Sequence, residues 1–438
     1  MSLLGERRLR TLLEGALAAC RDADQAEAVI LTEDSALTRF ASNTIHQNVA
    51  ERNASVRIRA ISGKRMGVAT TNSLDAHAIR EAAASACAIS GFSEPNPEFS
   101  SLPSPTPIEA VPGAFSDSTA GVTPRARADA AKRIIRRAEA DRLVAAGACS
   151  TTTQEVAVAN SLGVFAYHPS TAADANLVVM GNSSSGYADL AAVDFASLDF
   201  DAMADEACRR ATRSANPRGI EPGEYEVVLE PYAVGEMLDY LAYVGFGATA
   251  FLEGRSFMSE VRGKRVASRE VTIYDDGLDP ACLAMPFDFE GVPKQRLDLI
   301  SDGVARDVAW DSYTAGRADR QSTGHALPAP NPEGPFPWHL HLAPGAASLE
   351  ELIGGIERGL WVSRFHYVNP IQPLETTITG MTRDGTWWVE EGQVQYPVMN
   401  LRFSQSILGA LCSVKGIGRN LKLERGFFGG SLVPALRL

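Results

Sequence analysis

The sequence lacks several features that would assign it quickly to a class of protein. Its 438 residues contain six scattered cysteines and no C-x-x-C pair, so neither a zinc knuckle nor a thioredoxin-like motif is indicated. No stretch of about 18 apolar residues occurs, and charges interrupt the leucines near the N-terminus. We therefore expect neither a membrane span nor a signal peptide, and the sparse cysteines favour a cytoplasmic location.

An excess of basic residues is also missing. The formal net charge is −12, whereas a surface that binds nucleic acid needs lysine and arginine to neutralise phosphates. The densest basic cluster, residues 132–137, has two isoleucines between its charges, which is typical of a solvated helix face. We expect no nucleic-acid partner.

Common catalytic motifs are absent as well. The sequence has no G-x-S-x-G nucleophile elbow and no G-x-x-x-x-G-K-[ST] phosphate loop. Residues 245–250, GFGATA, match a relaxed dinucleotide motif, but they follow a predicted helix rather than a strand. A serine hydrolase and a nucleotide-binding enzyme are therefore not indicated.

The patterns that are present predict an α+β fold with two domains. Apolar periodicity and turn residues predict a hairpin over 55–72 and helices over the segments 3–22, 74–90, 124–141 and 198–214. Turn residues at 216–223 mark a boundary, which gives an N-terminal α/β domain, 1–216, and a mostly antiparallel, β-rich C-terminal domain, 220–438. After residue 241, only 348–359 is predicted to be helical.

Two short polar patterns suggest chemistry without deciding it. His339 and His341 would lie on one face of a strand, as metal ligands can, although a solvated strand face is the commoner situation. Asp288 and Glu290 would lie roughly 7 Å apart on a strand. That spacing suits a glycosidase carboxylate pair, or simply a strand that enters a turn.

A series of segments resembles the TldD/PmbA (TldE) family, once called modulators of DNA gyrase. The resemblance rests on their order: GEYEVVLEP (223–231), GRSFMSEVRGKRVAS (254–268), YDDG (274–277), PFDFEGVPKQRLDLISDGV (286–304), DSYTAGRADRQSTGHA (311–326) and LAPGAASLEELI (342–353). The N-terminal hairpin segments SVRIRAISGKRMGVATTN and VANSLGVFAY are also similar. The resemblance implies a two-domain fold and a dimer that encloses its active site.

The resemblance also implies zinc chemistry that this chain does not carry. TldD-like members have H-E-x-x-x-H on the helix after the strand and a cysteine ligand near the C-terminus. The corresponding positions here are Asp239, Tyr240 and Val244, and the segment 425–438 has no cysteine. Cys412 lies upstream and is expected to pack in a core. Glu236, one turn before Asp239, is expected to contact solvent or a partner.

The sequence thus predicts a non-catalytic, zinc-free subunit of a TldD/TldE-type metallopeptidase. Its partner would be a TldD-like catalytic subunit that carries the zinc, or a second copy of the chain, and the substrate an extended peptide. Candidate peptide-binding residues are Asp288, Glu290, Ser322, Thr323 and Gly324, although the last three equally suit an ordinary tight turn. The alternatives are a self-sufficient metallopeptidase that uses His325, His339 and His341, and a protein-binding modulator without enzymatic activity.

Overall fold

The structure, a computed structural model, describes residues 3–426 and 429–438. Helices and strands are mixed along the chain, which confirms the predicted α+β class. Among the described residues no helix is both long and apolar enough to cross a bilayer. The helices are α1 Glu6–Ala19, α2 Ala76–Phe92, α3 Asp117–Ala120, α4 Pro124–Ala140, α5 Phe200–Arg213, α6 Pro231–Gly245, α7 Ala248–Leu252, α8 Met258–Val261, α9 Ser312–Arg317, α10 Leu349–Gly354 and α11 Ile407–Cys412.

The N-terminal part forms one antiparallel sheet of long strands in the order β3-β2-β1-β4-β5-β6. The predicted hairpin over 55–72 is confirmed, because β2 pairs with β3 through a turn at Gly63. The strands of this sheet are β1 Gln25–Ala41, β2 Thr44–Ser62, β3 Arg65–Thr71, β4 Val144–Asn160, β5 Phe165–Met180 and β6 Ser185–Ala192.

Alternation along these strands decides what covers each face of the sheet. Side chains such as Ile30 and Ile58 contribute to apolar clusters under α1 and α2, and α4 and α5 cover the same face further along. On the opposite face, Val29 and Val158 pack against Phe287 from the C-terminal half. The two halves of the chain therefore share a buried contact.

The C-terminal part contains two sheets, with α6 in contact with both. The second sheet has the order β10-β9-β8-β11-β18-β17, and the third has the order β14-β13-β12-β7-β19-β16, with β15 paired to β13. The strands are β7 Glu226–Leu229, β8 Ile273–Asp275, β9 Leu297–Ser301, β10 Val304–Ala305, β11 His339–Leu342, β12 Arg358–Gln372, β13 Thr377–Glu390, β14 Gln393–Pro397, β15 Arg402–Ser406, β16 Gly416–Ile417, β17 Lys422–Arg425, β18 Gly430–Val433 and β19 Leu436–Arg437.

The structure corrects the prediction for the helices of the second half. The helix predicted over 348–359 ends at Gly354, because β12 begins at Arg358. Further short helices in the described part of the chain, α7, α8, α9 and α11, interrupt the strands, and they are too short for periodicity to reveal. The predicted boundary at 216–223 lies between α5 and β7. A division into domains at that point stays a prediction.

Candidate functional site

Helix α6 is held by a buried charge pair at its N-terminus. Pro231 occupies the first helical position, where a missing backbone N–H costs nothing. The N-cap residue Glu230 does not cap the helix with its side chain; its carboxylate instead accepts a hydrogen bond from Arg210 of α5. Apolar residues such as Val234, Leu238 and Leu241 bury the helix in the main C-terminal core. The polar residues of α6 consequently have fixed positions.

One side of α6 faces a cleft, which we call the α6 cleft. It encloses about 210 Å³ between α6, β6, β12 and β17. Four carboxyl groups and two arginines line it, together with aromatic rings and two glycines: Tyr187, Asp189, Tyr232, Gly235, Glu236, Asp239, Tyr240, Arg364, Phe365, Glu424, Arg425 and Gly426. Carboxyl groups thus outnumber cations in a confined space.

Burial favours the protonated form of several of these carboxyl groups. It raises the pKa of Asp239 to about 7, although a hydrogen bond from Ser431 acts in the opposite direction. Burial also raises the pKa of Glu236 to about 7, with Arg364 opposing and Asp239 adding to the shift. The pKa of Glu424 rises to about 8 through burial and the nearby Asp189, against Lys422. The cleft is therefore a site of strongly perturbed acids.

Models of one protein family match most of the chain. The PmbA/TldA metallopeptidase C-terminal domain matches residues 222–438, the central domain matches 117–215 and domain 1 matches 26–90. The chain belongs to the PmbA/TldD family. The first of these matches includes α6 and most of the cleft.

Individual relatives agree with this assignment. The chain is 25% identical over 241 residues to a metalloprotease of Methanothermobacter thermautotrophicus, covering 54% of this chain and 52% of that protein. It is 24% identical over 237 residues to Metalloprotease PmbA of Escherichia coli O157:H7, covering 53% of this chain and 50% of that protein. The chain thus spans about half the length of the curated relatives it matches.

A solved structure supports the fold over nearly the whole chain. The crystal structure of TldE from Thermococcus kodakarensis superposes with a TM-score of 0.91 at 21% identity, covering 98% of each chain. At this identity the comparison establishes the fold alone.

The residues at the predicted metal positions of this PmbA/TldD-family helix do not fit zinc. Asp239 is 6% exposed, and its Oδ1 accepts a hydrogen bond from Ser431 at 2.9 Å. The hydroxyl of Tyr240 donates to the carbonyl of Val368 at 2.5 Å, and Val244 is buried. A catalytic zinc needs about three protein ligands, and these three positions offer one carboxylate. Among the described residues, no cluster of three or more His, Cys, Asp or Glu is placed to hold a metal.

The histidines of β11 lie in the protein interior, so the expectation of a solvated strand face is wrong. Strand β11 lies between β8 and β18, and His339 and His341 are both buried. His341 stacks on Tyr274, and its ring nitrogens hydrogen-bond to the carbonyl of His339 and to Asp279. These contacts occupy both ring nitrogens of His341, the atoms with which it would bind a metal.

His325 joins His339 in a buried cluster with Asp275 and Lys294, which we call the histidine cluster. His325 hydrogen-bonds through Nε2 to Asp275 at 2.9 Å and through Nδ1 to Thr323 at 2.8 Å. The ammonium group of Lys294 lies 3.7 Å from Asp275 Oδ1. Burial and the adjacent Lys294 lower the pKa of His339 to about 3. A fixed cation beside these imidazoles disfavours a metal ion.

Asp288 and Glu290 lie in a turn, so the prediction of a strand is wrong. The Asp288 carboxylate accepts hydrogen bonds from the backbone N–H groups of Glu290, Val292 and Ala326, which is why the chain turns here. Glu290 accepts from Arg59 at 3.0 Å, and Arg59 also pairs with Glu27. Both carboxylates thus have structural contacts, and their role in binding a peptide stays a prediction.

The segment with Ser322, Thr323 and Gly324 is tied to Trp310. Ser322 Oγ donates to the Trp310 carbonyl at 3.1 Å, and Thr323 Oγ1 accepts from the Trp310 N–H at 2.8 Å. Gly324 has a φ of 76°, and a Cβ there would lie 2.6 Å from the carbonyl oxygen of Pro293. The segment is thus a bend packed against Trp310 and Pro293, and its use by a peptide stays a prediction.

Of the two remaining residues, Cys412 differs from expectation, whereas the predicted contact of Glu236 with solvent or a partner stays a prediction. Cys412 is exposed at the end of α11, with Sγ 3.2 Å from the Val266 carbonyl, so the prediction that it packs in a core is wrong. Glu236 is half-buried in the α6 cleft, where local sequence gave no sign of its neighbours on β12 and β17. Of the segment 425–438, residues 427 and 428 lie outside the described residues.

Proposed function

We propose that this chain is the non-catalytic, zinc-free subunit of a TldD/TldE-type metallopeptidase. One observation carries the proposal. The helix positions at which zinc-binding members carry two histidines and a glutamate hold Asp239, Tyr240 and Val244, and these side chains bond to or pack against the chain's own residues. A TldD-like subunit would supply the zinc and the water that the metal activates.

This subunit would help to enclose the active site of the complex and to bind an extended peptide. Peptides commonly bind by adding a strand to a sheet edge, where backbone hydrogen bonds tolerate many sequences. The partner is expected to be a TldD-like protein, and a second copy of the chain is the other possible arrangement.

Reconstitution tests the proposal. The purified chain, a TldD-like protein from the same organism and their mixture would each be incubated with unstructured peptides. We expect no cleavage by the chain alone, co-elution of the two proteins, and cleavage by the mixture that a chelator abolishes. Cleavage by the chain alone would contradict the proposal, as would a TldD-like protein that gains neither binding nor activity from it.

A self-sufficient peptidase built on His325, His339 and His341 receives no support from the geometry. Four ring nitrogens on His325 and His341 already have hydrogen bonds, and Lys294 lies beside His325 and His339. The substitution His339→Ala separates this alternative, because it would abolish cleavage only if the histidine cluster were catalytic. A modulator without enzymatic activity would bind a target protein, and its mixture with a TldD-like protein would not cleave peptides.

A further inference from the structure

The α6 cleft contains two carboxyl groups, Glu236 and Asp239, that form no ion pair with a cation among the described residues, although Arg364 favours the ionised form of Glu236 from a longer distance. Arg364 forms a salt bridge with Asp384 and lies over the ring of Tyr187, 4.1 Å from its centroid. Arg425 pairs with Asp174 at 3.1 Å. The arginines that line the cleft are therefore committed to carboxylates other than Glu236 and Asp239.

The lysine beside the cleft, Lys422, is also paired with carboxylates other than Glu236 and Asp239. Lys422 forms ion pairs with Asp189 and, at 3.0 Å, with Glu424. Within residues 3–426 and 429–438, neither Glu236 nor Asp239 has a lysine or arginine within the 4.0 Å of an ion pair. Two acids that are one helical turn apart thus share a confined space without a cation in ion-pair contact.

One carboxylate oxygen is also without a hydrogen-bond partner. Asp239 Oδ1 is bonded to Ser431, whereas Oδ2 has no partner in the described part of the chain although the residue is only 6% exposed. Oδ2 lies close to the backbone of Gly426, because a Cβ atom added to that glycine would be 1.6 Å from this oxygen. Oδ2 is not fully enclosed, and Asp239 lines the cleft, so a ligand or water in the cleft can donate the hydrogen bond that this oxygen lacks.

We propose that the α6 cleft binds a primary ammonium group, with Glu236 and Asp239 as its anionic partners. The site itself is independent of the proposed function. The choice of a peptide N-terminus as the source of the ammonium group rests on that function.

The size and lining of the cleft suit this ligand. A volume of about 210 Å³ admits an ammonium group with one or two residues of a peptide, and is smaller than the sites that hold drug-sized molecules. An ammonium group is compact and has three N–H donors, enough for Glu236, for Asp239 Oδ2 and for a third acceptor. The rings of Tyr240 and Phe365 form part of the wall, and aromatic faces attract cations.

The protonation equilibrium of the two acids supports the same ligand. Burial raises the pKa of both carboxyl groups to about 7, so near neutral pH they retain protons in the absence of a cation. A bound ammonium group would replace those protons by stabilising the ionised forms.

A calorimetric titration of the isolated full-length chain tests the site. The probes would be trialanine amide with a free N-terminus, the same peptide with an acetylated N-terminus, and Nα-acetyl-lysine amide. We expect the free peptide to bind about tenfold or more tightly than its acetylated form, because acetylation removes the charge and two donors. Binding of acetyl-lysine amide at equal strength would also support the site and assign its ligand to side-chain amines.

Matched variants distinguish binding of the ammonium group at the cleft from non-specific attraction of a cation to an acidic protein. Glu236→Gln and Asp239→Asn should each weaken binding of the free peptide about tenfold, and the amide oxygen introduced by Asp239→Asn can still accept the hydrogen bond from Ser431. Glu139→Gln, at an exposed residue of α4, likewise replaces one carboxyl group by an amide and should have no effect. Circular dichroism would confirm that all three variants are folded.

Three results would overturn the proposal: equal binding of free and acetylated peptides, equal effects of the cleft and control variants, or no binding of either amine probe at millimolar concentration. Because the titration uses no partner, its failure would leave the proposed subunit role untouched. Failure of reconstitution would likewise leave the ammonium site intact.

Discussion

The α6 cleft and the histidine cluster are both polar and mostly buried, yet their charges are organised differently. In the histidine cluster, Asp275 is fully buried and has the Lys294 ammonium group 3.7 Å away. Burial alone would raise the pKa of Asp275, but Lys294 and His325 hold it well below its usual range. In the cleft, Glu236 and Asp239 have no such cation among the described residues, and their pKa values rise to about 7.

The comparison shows how a structural polar cluster differs from a binding site. Buried charges that are paired within the chain position loops and strands, and they leave nothing for a ligand to neutralise. Carboxyl groups that are unpaired and border open space retain a capacity to bind a cation. The histidine cluster belongs to the first kind and the α6 cleft to the second.

Substitution of Asp275 tests the histidine cluster and should have the largest effect. Asp275→Asn leaves Lys294 buried without a counter-charge, which should lower the free energy of unfolding by about 3–5 kcal/mol. Urea denaturation at neutral pH measures the loss. The double variant Asp275→Asn with Lys294→Met should recover part of it, since no uncompensated charge remains.

A loss below about 1 kcal/mol for Asp275→Asn would contradict a structural role for this pair. Asp279→Asn is the matched control. Asp279 contacts His341 at 3.1 Å but is about one-third exposed, so its replacement should cost less than about 1 kcal/mol.

Substitution of Asp239 in the cleft should raise the free energy of unfolding, whereas substitution of Asp275 lowers it. Burial raises the pKa of Asp239 from 3.8 to about 7, so the folded state holds this proton more tightly than the unfolded chain does. The associated stability is fully present below the unfolded pKa and is lost as pH rises toward the folded pKa. Asp239→Asn cannot ionise, and it should become progressively more stable than the wild type across that window.

The free energy of unfolding of Asp239→Asn should exceed that of the wild type by at most about 4 kcal/mol above pH ~7, since one pKa unit corresponds to about 1.4 kcal/mol. Urea denaturation at pH ~5 and pH ~8 would show it. Glu139→Gln should give no pH-dependent difference. If Asp239→Asn instead became less stable than the wild type as pH rises, the Asp239 carboxylate would have a cation partner in the folded chain.

The sequence predicted features that depend on local patterns and on family resemblance. Helix α6 begins at Pro231, and the resemblance placed the lost metal positions on it. The hairpin around Gly63 followed from alternation and turn residues. Both are properties of contiguous segments, for which periodicity is informative.

The sequence could not predict the partners that come from distant segments. Arg364 and Glu424 reach the cleft from β12 and β17, more than a hundred residues after α6. His339 was expected at the surface because alternation normally exposes one face of a strand, but β11 is covered on both faces. Asp288 lay in an alternating segment, and only its three backbone donors reveal a turn.

The most direct test of the central claim is the metal content of the unmodified, purified chain. Elemental analysis and native mass spectrometry, after exposure to equimolar zinc and desalting, would give the number of zinc ions per chain. We predict far less than one, because Asp239 is the only zinc-binding side chain among the three metal positions of α6. Near one zinc per chain, reduced by Asp239→Asn or by His339→Ala, would contradict the account.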